Sequence, residues 1–377
     1  MKICILSHCF YPSRKRGGPT VSVTNLAKLL AQHHQVSVVT IGHDKGEKEF
    51  YSSVKPGKNR LFDCDVYYLE ENICKAYYKV LKEISPEIIY VSSLFSWEYA
   101  LAAMAWGKKN PQTQVIIAPR GELMPAAVAR GGAKKKIYLW LCKHFLRLEG
   151  CMFHSTAKEE TKAIQAIFPK SRVFEASNIS TFEKLQTPGI AKRPGELKLL
   201  TVGRIHPIKN IHLAIEALQP LTGEITLDIY GSAEDKEYYQ QCVEAISRLP
   251  ENIHVNFCGN VEHEELKTIY PKYHCFISLT QTENFGHSIV EAIHSANPVI
   301  ISDRTPWHGL EERLAGMEFS LDDLSRVPAA LQRFVDMDGE AFAAWQQGTL
   351  RYSEIISDRM GIGQYLRMME FATQNTD

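Results

Sequence analysis

The amino-acid sequence predicts an α/β fold of two Rossmann-like domains, each a doubly wound parallel sheet. A chain of 377 residues is too long for one ordinary core and suits two domains. A buried strand, a loop, an amphipathic helix and a second strand follow one another at the N-terminus, and the same order starts again near residue 198. Because such βαβ units build parallel sheets, two arrays of them predict two sheets.

The first array alternates strands and helices. Lys2–Ser7 is a short apolar run, typical of a buried strand, and the apolar residues between positions 21 and 30 recur at helical spacing. "QVSVVTIG" returns as a second strand. Further strands are predicted at Glu87–Ser92, Gln114–Gly121 and Cys151–Thr156.

The second array opens with the strand "LKLLTVGRI", the helix "NIHLAIEALQPL" and the strand "EITLDIYGS". Before it, "QTPGIAKRPGE" contains chain breakers and few apolar residues, which indicates a linker. The segment 351–377 is predicted to be helical, interrupted by Gly361 and Gly363, and to pack back on the first domain. We therefore expect a first domain over 1–185, a linker over 186–197 and a second domain over 198–350.

The composition disfavours several classes of protein. Lys+Arg and Asp+Glu balance at 43 each, which gives no support to a nucleic-acid binder. The nine cysteines are scattered without a C-x-x-C pair, so we expect reduced thiols rather than a disulfide framework or a zinc site. The N-terminal apolar run is too short for a signal peptide, and no window reaches the length of a spanning helix. These features favour a cytoplasmic protein.

Two carboxylates, Glu283 and Glu291, flank the start of a predicted helix in "ENFGHSIVEAIHSANP". The apolar residues form one stripe on a helix that begins around Phe285–His287, and Asn297 suits the left-handed position at its end. Loops of this kind lie at the carboxyl ends of parallel strands, and the first N–H groups of the helix form an anion site. The spacing indicates an elongated ligand with a phosphate between two hydroxyl-bearing rings. The helix dipole alone also favours acids in these turns, which is the structural alternative.

Two further loops carry residues of phosphate-binding type. "VGRIHPIKN" places Gly203 and Arg204 after a strand and Lys209 five residues on, offering a guanidinium fork and a point charge. "SRKRGGPTVS" places Gly17 and Gly18 between the first strand and helix, where a bare backbone can approach a phosphate. The loop is not G-x-G-x-x-G, and no acid follows the second strand, which disfavours a nicotinamide-dependent dehydrogenase.

The ordered set "FYP…RGG", "VGRIHPIKN", "YGS", "CGNV" and "TENFGHSIVEA" resembles the GT-B-fold, retaining nucleotide-sugar glycosyltransferases of family 4 over nearly the whole chain. "PRGEL", "HSTAKEE" and "DRTPWHGLEE" resemble a branch that builds bacterial surface polysaccharides. The resemblance implies a GT-B architecture, in which two Rossmann-like domains face each other across a cleft. It also implies hexosyl transfer with retention of configuration and without a metal or other cofactor. The expected donor is a nucleotide diphosphate-sugar, with a UDP-sugar favoured, and the expected acceptor is a saccharide or a lipid-linked saccharide.

The same resemblance implies roles for particular residues. The catalytic residues would be Arg204 and Lys209, which hold the donor's diphosphate and stabilise the departing nucleotide, and Glu283, which orients the hydroxyls of the sugar. Glu291 would hold the ribose. Other donor-binding residues are expected to contribute mainly backbone or ring contacts: Gly17, Gly18, Gly203, Tyr230, Gly231, Val261, Asn284, Phe285, Gly286 and His287. Departure and attack on one face explain retention in this family, so no protein nucleophile is expected.

Three features allow more than one interpretation. Arg120 in "APRGEL" stands where many family members have His, and it either contacts sugar or phosphate or pairs with Glu122. The stretch 129–148 mixes basic and apolar residues without an acid, so it either lies on an anionic membrane surface or belongs to the core of the first domain. Asp63 and Asp65 form a D-x-D motif, which we interpret as a chance match.

The sequence therefore predicts a metal-independent, retaining glycosyltransferase of lipopolysaccharide or capsule biosynthesis. It would be cytoplasmic, with contact to the inner face of the cell membrane through 129–148 as an open possibility, and would bind no nucleic acid. Two other classes remain. A sugar-nucleotide epimerase can share the two-domain architecture and needs no acceptor. A non-catalytic partner subunit could keep the fold with a degenerate site, although the intact set of Gly, Arg, Lys and Glu residues argues against it.

Overall fold

A computed structural model describes residues 1–13, 18–44, 46–71, 73–144, 148–180, 182, 184–185, 189–233 and 235–374. The chain folds into two compact units: Met1–Ile179 together with Met360–Asp377, and Ser180–Arg359. These divisions fall near the predicted ones at 185 and 350. Residues 186–188 of the predicted linker lie outside the described residues.

The first unit contains an eight-stranded sheet within the described residues. Its strands are β1 (Lys2–Leu6), β2 (Gln35–Ile41), β3 (Gly57–Leu61), β4 (Cys64–Leu69), β5 (Ile88–Ser92), β6 (Gln114–Ala118), β7 (Met152–Ser155) and β8 (Arg172–Glu175). The helices are α1 (Gly18–Ala31), α2 (Cys74–Ile84), α3 (Trp97–Lys109), α4 (Pro125–Arg130), α5 (Gly132–His144) and α6 (Lys158–Ile167), together with the C-terminal helix Ile362–Thr373. The strand order is β3-β4-β2-β1-β5-β6-β7-β8, and every pair except the antiparallel β3–β4 is parallel.

The central strands of this sheet are apolar on both sides because helices cover both of its faces. In β1, Cys4 and Leu6 belong to one core cluster, which also contains residues of α2 and α3. Ile3 and Ile5 belong to the other cluster, with residues of α1 and the C-terminal helix. A strand buried on two faces has a continuous apolar sequence, which is the pattern that predicted a parallel sheet.

The second unit contains a six-stranded, wholly parallel sheet in the described part of the chain. Its strands are β9 (Glu196–Val202), β10 (Glu224–Tyr230), β11 (Ile253–Gly259), β12 (Cys275–Ser278), β13 (Val299–Ser302) and β14 (Gly316–Phe319). Its helices are α7 (Ile211–Glu216), α8 (Lys236–Ile246), α9 (Leu266–Ile269), α10 (His287–His294), α11 (Val327–Asp336) and α12 (Gly339–Arg359). The strand order β11-β10-β9-β12-β13-β14 reverses between β9 and β12. The loops after these two strands therefore leave the sheet side by side at its topological switch point, where open α/β sheets bind ligands.

In the basic stretch 129–148, α4 ends at Arg130 and α5 begins at Gly132, whose φ of 59° is left-handed, and residues 145–147 lie outside the described residues. One local prediction, for the end of α10, was wrong. The left-handed residue after α10 is Ala296 (φ 60°) rather than Asn297. The amide of Asn297 instead donates to the Tyr273 carbonyl at 2.6 Å.

The D-x-D motif lies in the turn and second strand of the β3–β4 hairpin. Its second aspartate, Asp65, forms ion pairs with Lys58 at 3.0 Å and with Arg60 at 3.2 Å across the hairpin. The carboxylate of Asp65 is thus engaged by cations of the neighbouring strand.

Helix α5 contributes to the core of the first unit and also exposes apolar side chains, while its contact with a membrane stays a prediction. Leu139 and Cys142 are buried in the core of the first unit. On another side, Ile137, Trp140 and Leu141 are 59%, 54% and 40% exposed. Across the described ranges, no helix is both long enough and apolar enough to cross a membrane.

A buried lysine closes the end of α11. Lys192 is only 5% exposed, and its ammonium donates to the carbonyl oxygens of Val335 at 2.9 Å and Met337 at 3.2 Å. Burial lowers the pKa of this ammonium. Lys192 thus adds donors at the end of α11, where the Val335 carbonyl also accepts from the Gly195 N–H at 2.9 Å.

Lys192→Met should lower the free energy of unfolding by about 1–3 kcal/mol, because the Met337 carbonyl loses the Lys192 donor and the Val335 carbonyl keeps only the Gly195 N–H, while the length of the side chain is kept. Chemical denaturation measures the change. The control is Lys198→Met, which removes an ion pair with Glu196 from a side chain that is 42% exposed and should cost less than about 1 kcal/mol. Equal losses in the two variants would contradict a capping role for Lys192.

Candidate active site at the switch point of the second sheet

Lys209 and Glu283 meet where the loops after β9 and β12 run side by side. The Lys209 ammonium donates to the Glu283 carboxylate, and the two side chains are 22% and 21% exposed. Both residues were predicted at this site. Their contact joins a cation and an anion that are largely removed from water, at the edge where an open α/β sheet binds ligands.

Main-chain and side-chain hydrogen bonds also hold the two loops together, independently of that ion pair. The Gln281 N–H and the Thr280 hydroxyl both donate to the Ile208 carbonyl, at 2.8 and 3.0 Å. The Gln281 side-chain amide also donates to Asn210 Oδ1 at 3.2 Å. The positions of Lys209 and Glu283 therefore follow from the backbone around them.

The predicted glycines after β9 and β10 allow a close backbone approach. Gly231 has a φ of 154°, and a Cβ placed there would lie 1.9 Å from the Gly203 carbonyl oxygen. The Gly203 N–H donates to the Tyr230 carbonyl at 2.9 Å. The Tyr230 hydroxyl lies 3.5 Å from that of Tyr273. Arg204, in the same loop as Lys209, is exposed.

The turn before α10 brings Glu283 and the predicted sugar-binding residues together. Gly286 precedes the helix with a left-handed φ of 76°, and a Cβ there would lie 3.0 Å from Glu283 Cγ. Phe285 is buried, and its ring packs edge-on against His287 with centroids 4.7 Å apart. Asn284, which lies between Glu283 and Phe285 in the sequence, is half-exposed. A Cβ at 286 would also lie 2.9 Å from Ile289 Cδ1, so a side chain there would crowd both Ile289 and Glu283 and would strain the left-handed backbone.

Glu291 has a separate set of partners. It is 3% exposed, and it accepts hydrogen bonds from His263 Nε2 at 2.9 Å and from the Tyr270 hydroxyl at 3.0 Å. Burial alone would raise the pKa of Glu291, but the hydrogen bond and charge of His263, with smaller contributions from His287 and Tyr270, outweigh it and hold the pKa below its ordinary value. Val261 lies half-exposed two residues before His263.

The predicted residues of the first unit have other surroundings. Arg120, with a left-handed φ of 50°, donates to Asn178 at 2.8 Å, Ser92 at 3.1 Å and Tyr90 at 3.2 Å. Glu122 accepts instead from Ser93 and from the backbone of residues 94 and 95. A pairing of Arg120 with Glu122 was therefore wrong, and contact with sugar or phosphate stays a prediction. Gly18 is exposed as the first residue of α1, and Gly17 lies outside the described residues.

Sequence reasoning missed three residues at this edge of the second unit. His263 and Tyr270 bind Glu291, and the Trp307 indole donates to the Phe285 carbonyl. Each partner is distant along the chain, so no local spacing could have linked them. The one available signal was the "TPW" of the family-like motif "DRTPWHGLEE".

The chain is similar to known proteins both in part of its sequence and in its fold. Residues 183–309 match the family model described as glycosyl transferases group 1. O-antigen chain mannosyltransferase RfbU of Salmonella typhimurium is 27% identical over 202 residues, which are 51% of this chain and 54% of that protein. Sucrose-phosphate synthase from Thermosynechococcus elongatus has a TM-score of 0.72 at 17% identity over 98% of both chains. Anabaena Alr3699/HepE in complex with UDP-glucose has a TM-score of 0.69 at 15% identity, over 98% of this chain and 99% of that one.

The fold is that of the GT-B glycosyltransferases, as the motifs predicted. The segment 183–309, which contains Lys209, Glu283 and Glu291, matches the family model of glycosyl transferases group 1, and the predicted resemblance to family 4 is confirmed. The match to RfbU spans about half the length of that relative.

Replacement of Glu291 should change how stability depends on pH. The pKa of Glu291 in the folded protein lies below its ordinary value of 4.5, so the ionised carboxylate stabilises the fold above that pH. This contribution is lost as the pH falls through the folded-state pKa. Glu291→Gln should therefore lower the Tm at pH 7, and the gap to the wild type should narrow between about pH 5 and pH 3.

Thermal unfolding across this pH series measures the gap. The control is Glu264→Gln, an exposed carboxylate in the neighbouring segment, whose gap to the wild type should stay small throughout. A Glu291→Gln gap that is unchanged at pH 3 would contradict the assignment of an ionised, hydrogen-bonded Glu291.

Proposed function

We propose that the protein is a metal-independent, retaining glycosyltransferase that uses a nucleotide diphosphate-sugar. The observation that carries this proposal is the mostly buried Lys209–Glu283 contact at the switch point of a sheet, within a segment that matches the family model of glycosyl transferases group 1. A cation for phosphate and a carboxylate for hydroxyl groups stand next to each other there. A diphosphate-sugar presents these two chemistries in the same order.

Lys209 can serve both groups at once. An ammonium has three N–H donors, and one of them is bound to Glu283, so others can reach a phosphate oxygen. Together with Arg204 it would stabilise the charge that develops on the leaving diphosphate, which is the role a metal ion has in other transferases. Glu283 would accept hydrogen bonds from the sugar's hydroxyl groups beside the amides of the turn before α10.

The proposed chemistry needs no protein nucleophile. The bond between the anomeric carbon and the diphosphate oxygen breaks, and the acceptor oxygen bonds to the same face of that carbon. The acceptor's proton passes to a phosphate oxygen of the leaving nucleotide. Configuration is retained because departure and attack share one face.

The ribose is assigned to Glu291. An ionised carboxylate offers about four acceptor positions, and two are used by His263 and Tyr270, which leaves capacity for ribose hydroxyls. We favour a UDP-sugar as the donor, since Alr3699/HepE, which shares the fold, binds UDP-glucose. The relative RfbU is named for O-antigen chains, which supports a saccharide or lipid-linked saccharide acceptor in cell-surface polysaccharide biosynthesis.

Contact with an anionic membrane surface would bring the protein to a lipid-linked acceptor. On α5, Ile137, Trp140 and Leu141 fall at helical spacing and are exposed. Lys136 and Lys143 are four residues before and three residues after Trp140, so they lie on the same face. An apolar strip flanked by cations is the pattern of an interfacial helix.

The donor site is tested by thermal shift with UDP-, GDP-, ADP- and dTDP-sugars, each with and without EDTA. A donor at 100 times its Kd should stabilise the wild type by about 2.7 kcal/mol, and EDTA should leave the shift unchanged. Lys209→Met should lose the shift and lower turnover by about 100- to 1000-fold, because the leaving diphosphate loses its nearest cation. Lys272→Met, an exposed lysine of the same unit, is the control and should behave as the wild type.

The outcomes separate the three classes of protein. Stabilisation by one base class and transfer to an acceptor support the proposal. Conversion of the free donor without an acceptor would show an epimerase instead. No stabilisation by any donor would point to a partner subunit with a degenerate site.

Membrane contact is tested by flotation with vesicles that contain phosphatidylglycerol. The double variant Ile137→Asp, Trp140→Asp should reduce bound protein about tenfold or more, because charge replaces the apolar strip, and wild-type binding should weaken as salt is raised. Ile355→Asp replaces another exposed apolar residue, 42% exposed on α12, and should bind as the wild type does. Undiminished binding of the double variant would contradict a role for α5.

A further inference from the structure

Trp307 contacts the turn that carries the proposed sugar-binding groups, although it lies 22 residues from Phe285 along the chain. Its indole N–H donates to the Phe285 carbonyl oxygen. The two rings also pack edge-on, with centroids 5.4 Å apart at 71°. Trp307 is 7% exposed and Phe285 5%, so both the hydrogen bond and the ring contact are shielded from water.

Trp307 ends a short stretch that we name the brace segment, residues 302–307. The Ser302 hydroxyl donates to the Thr280 carbonyl at 2.6 Å, and the Glu283 N–H donates to the Arg304 carbonyl at 3.0 Å. Together with the indole bond, these contacts attach the brace segment to the start, the middle and the end of residues 280–285.

The brace segment is itself fixed to the sheet. The Asp303 N–H donates to the Phe319 carbonyl of β14 at 2.8 Å. Thr305 is 4% exposed, and its hydroxyl accepts from the Trp307 N–H at 3.4 Å. A segment anchored in this way can hold a neighbouring turn rather than move with it.

The indole bond acts on a peptide unit and not on a side chain. The Phe285 carbonyl and the Gly286 N–H belong to one planar, trans peptide group, so they point in opposite directions. A donor that fixes the carbonyl therefore fixes the direction of the Gly286 N–H. Gly286 is left-handed, and as glycine it resists rotation of this peptide less than any other residue would.

We propose that Trp307 is a positioning residue for the transferred sugar. By holding the Phe285–Gly286 peptide, it aims the Gly286 N–H and keeps Glu283 in register with it. The loop that carries Lys209 has its own bonds, from Gln281 and Thr280 to the Ile208 carbonyl, and Glu291 is held by His263 and Tyr270. This inference rests on the proposed function, in which the turn before α10 binds the sugar. Loss of the indole bond should therefore weaken recognition of the sugar and spare recognition of the nucleotide.

The test uses the full-length protein with Trp307→Phe, which keeps an aromatic ring and removes the N–H. Affinities are measured for UDP, UDP-glucose and UDP-N-acetylglucosamine, together with kcat and KM. Amide hydrogen exchange of the ligand-free protein is followed for the peptide covering residues 280–290. Trp345→Phe is the control, since Trp345 is a buried tryptophan of the same unit that packs on Phe334 instead.

For Trp307→Phe we expect the ratio of UDP-sugar affinity to UDP affinity to fall about tenfold, which corresponds to one hydrogen bond. The same variant should lower kcat and speed exchange in 280–290, and Trp345→Phe should do neither. An unchanged ratio with unchanged exchange, an equal loss of affinity for UDP and UDP-sugars, or the same ratio change in Trp345→Phe would each overturn the role. Failure of the wild type to bind any of the three ligands would overturn the preference for a UDP-sugar instead, failure with the GDP-, ADP- and dTDP-sugars as well would overturn the proposed function, and in either case the exchange data would still show whether Trp307 holds the turn.

Discussion

The adjacency of the loops after β9 and β12 is the constraint on which the ion pair between Lys209 and Glu283, and with it the candidate site of the second unit, depends. Both side chains are mostly buried, so each would lose favourable hydration without the other. They come from loops after β9 and β12, which are adjacent only because the strand order reverses there. The parallel topology thus determines which two loops can supply the pair, and the backbone bonds between those loops determine its geometry.

The two carboxylates of the "ENFGHSIVE" motif have different partners in the folded protein. Glu283 precedes α10 and is paired with Lys209. The Lys209 ammonium has further N–H donors, so it can bind an anion as well. Glu291 lies within the helix, buried, and its charge is stabilised by His263 and the Tyr270 hydroxyl. A carboxylate that faces hydroxyl groups must keep acceptor capacity, and neither set of partners exhausts it.

Regular strands and the general location of the site could be predicted because both depend on local sequence. Continuous apolar runs identified β1, β5 and β9, and the glycine, lysine and glutamate motifs identified the edge of the sheet. The edge strand β3, "GKNRL", carries no such run, because most of its residues are exposed or half-exposed. Contacts between distant loops could not be predicted from the sequence either. His263 and Glu291 are 28 residues apart, and nothing in the local spacing of either indicates the other.

The difference between strands, which depend on local sequence, and contacts between distant loops also explains how a fold can be shared at low sequence identity. Sheets are joined by main-chain bonds, which most side chains permit, so a TM-score of 0.72 is compatible with 17% identity. The site has no such tolerance, because at Gly231 and Gly286 an added Cβ would collide with the neighbouring loop or with Glu283. Sequence constraint should therefore be strongest where a loop must approach another loop closely, and the family match over residues 183–309 covers that part of the chain. Trp307 also lies inside the matched segment, and its indole N–H donates to the Phe285 carbonyl of the turn before α10, a contact that the strands alone do not provide.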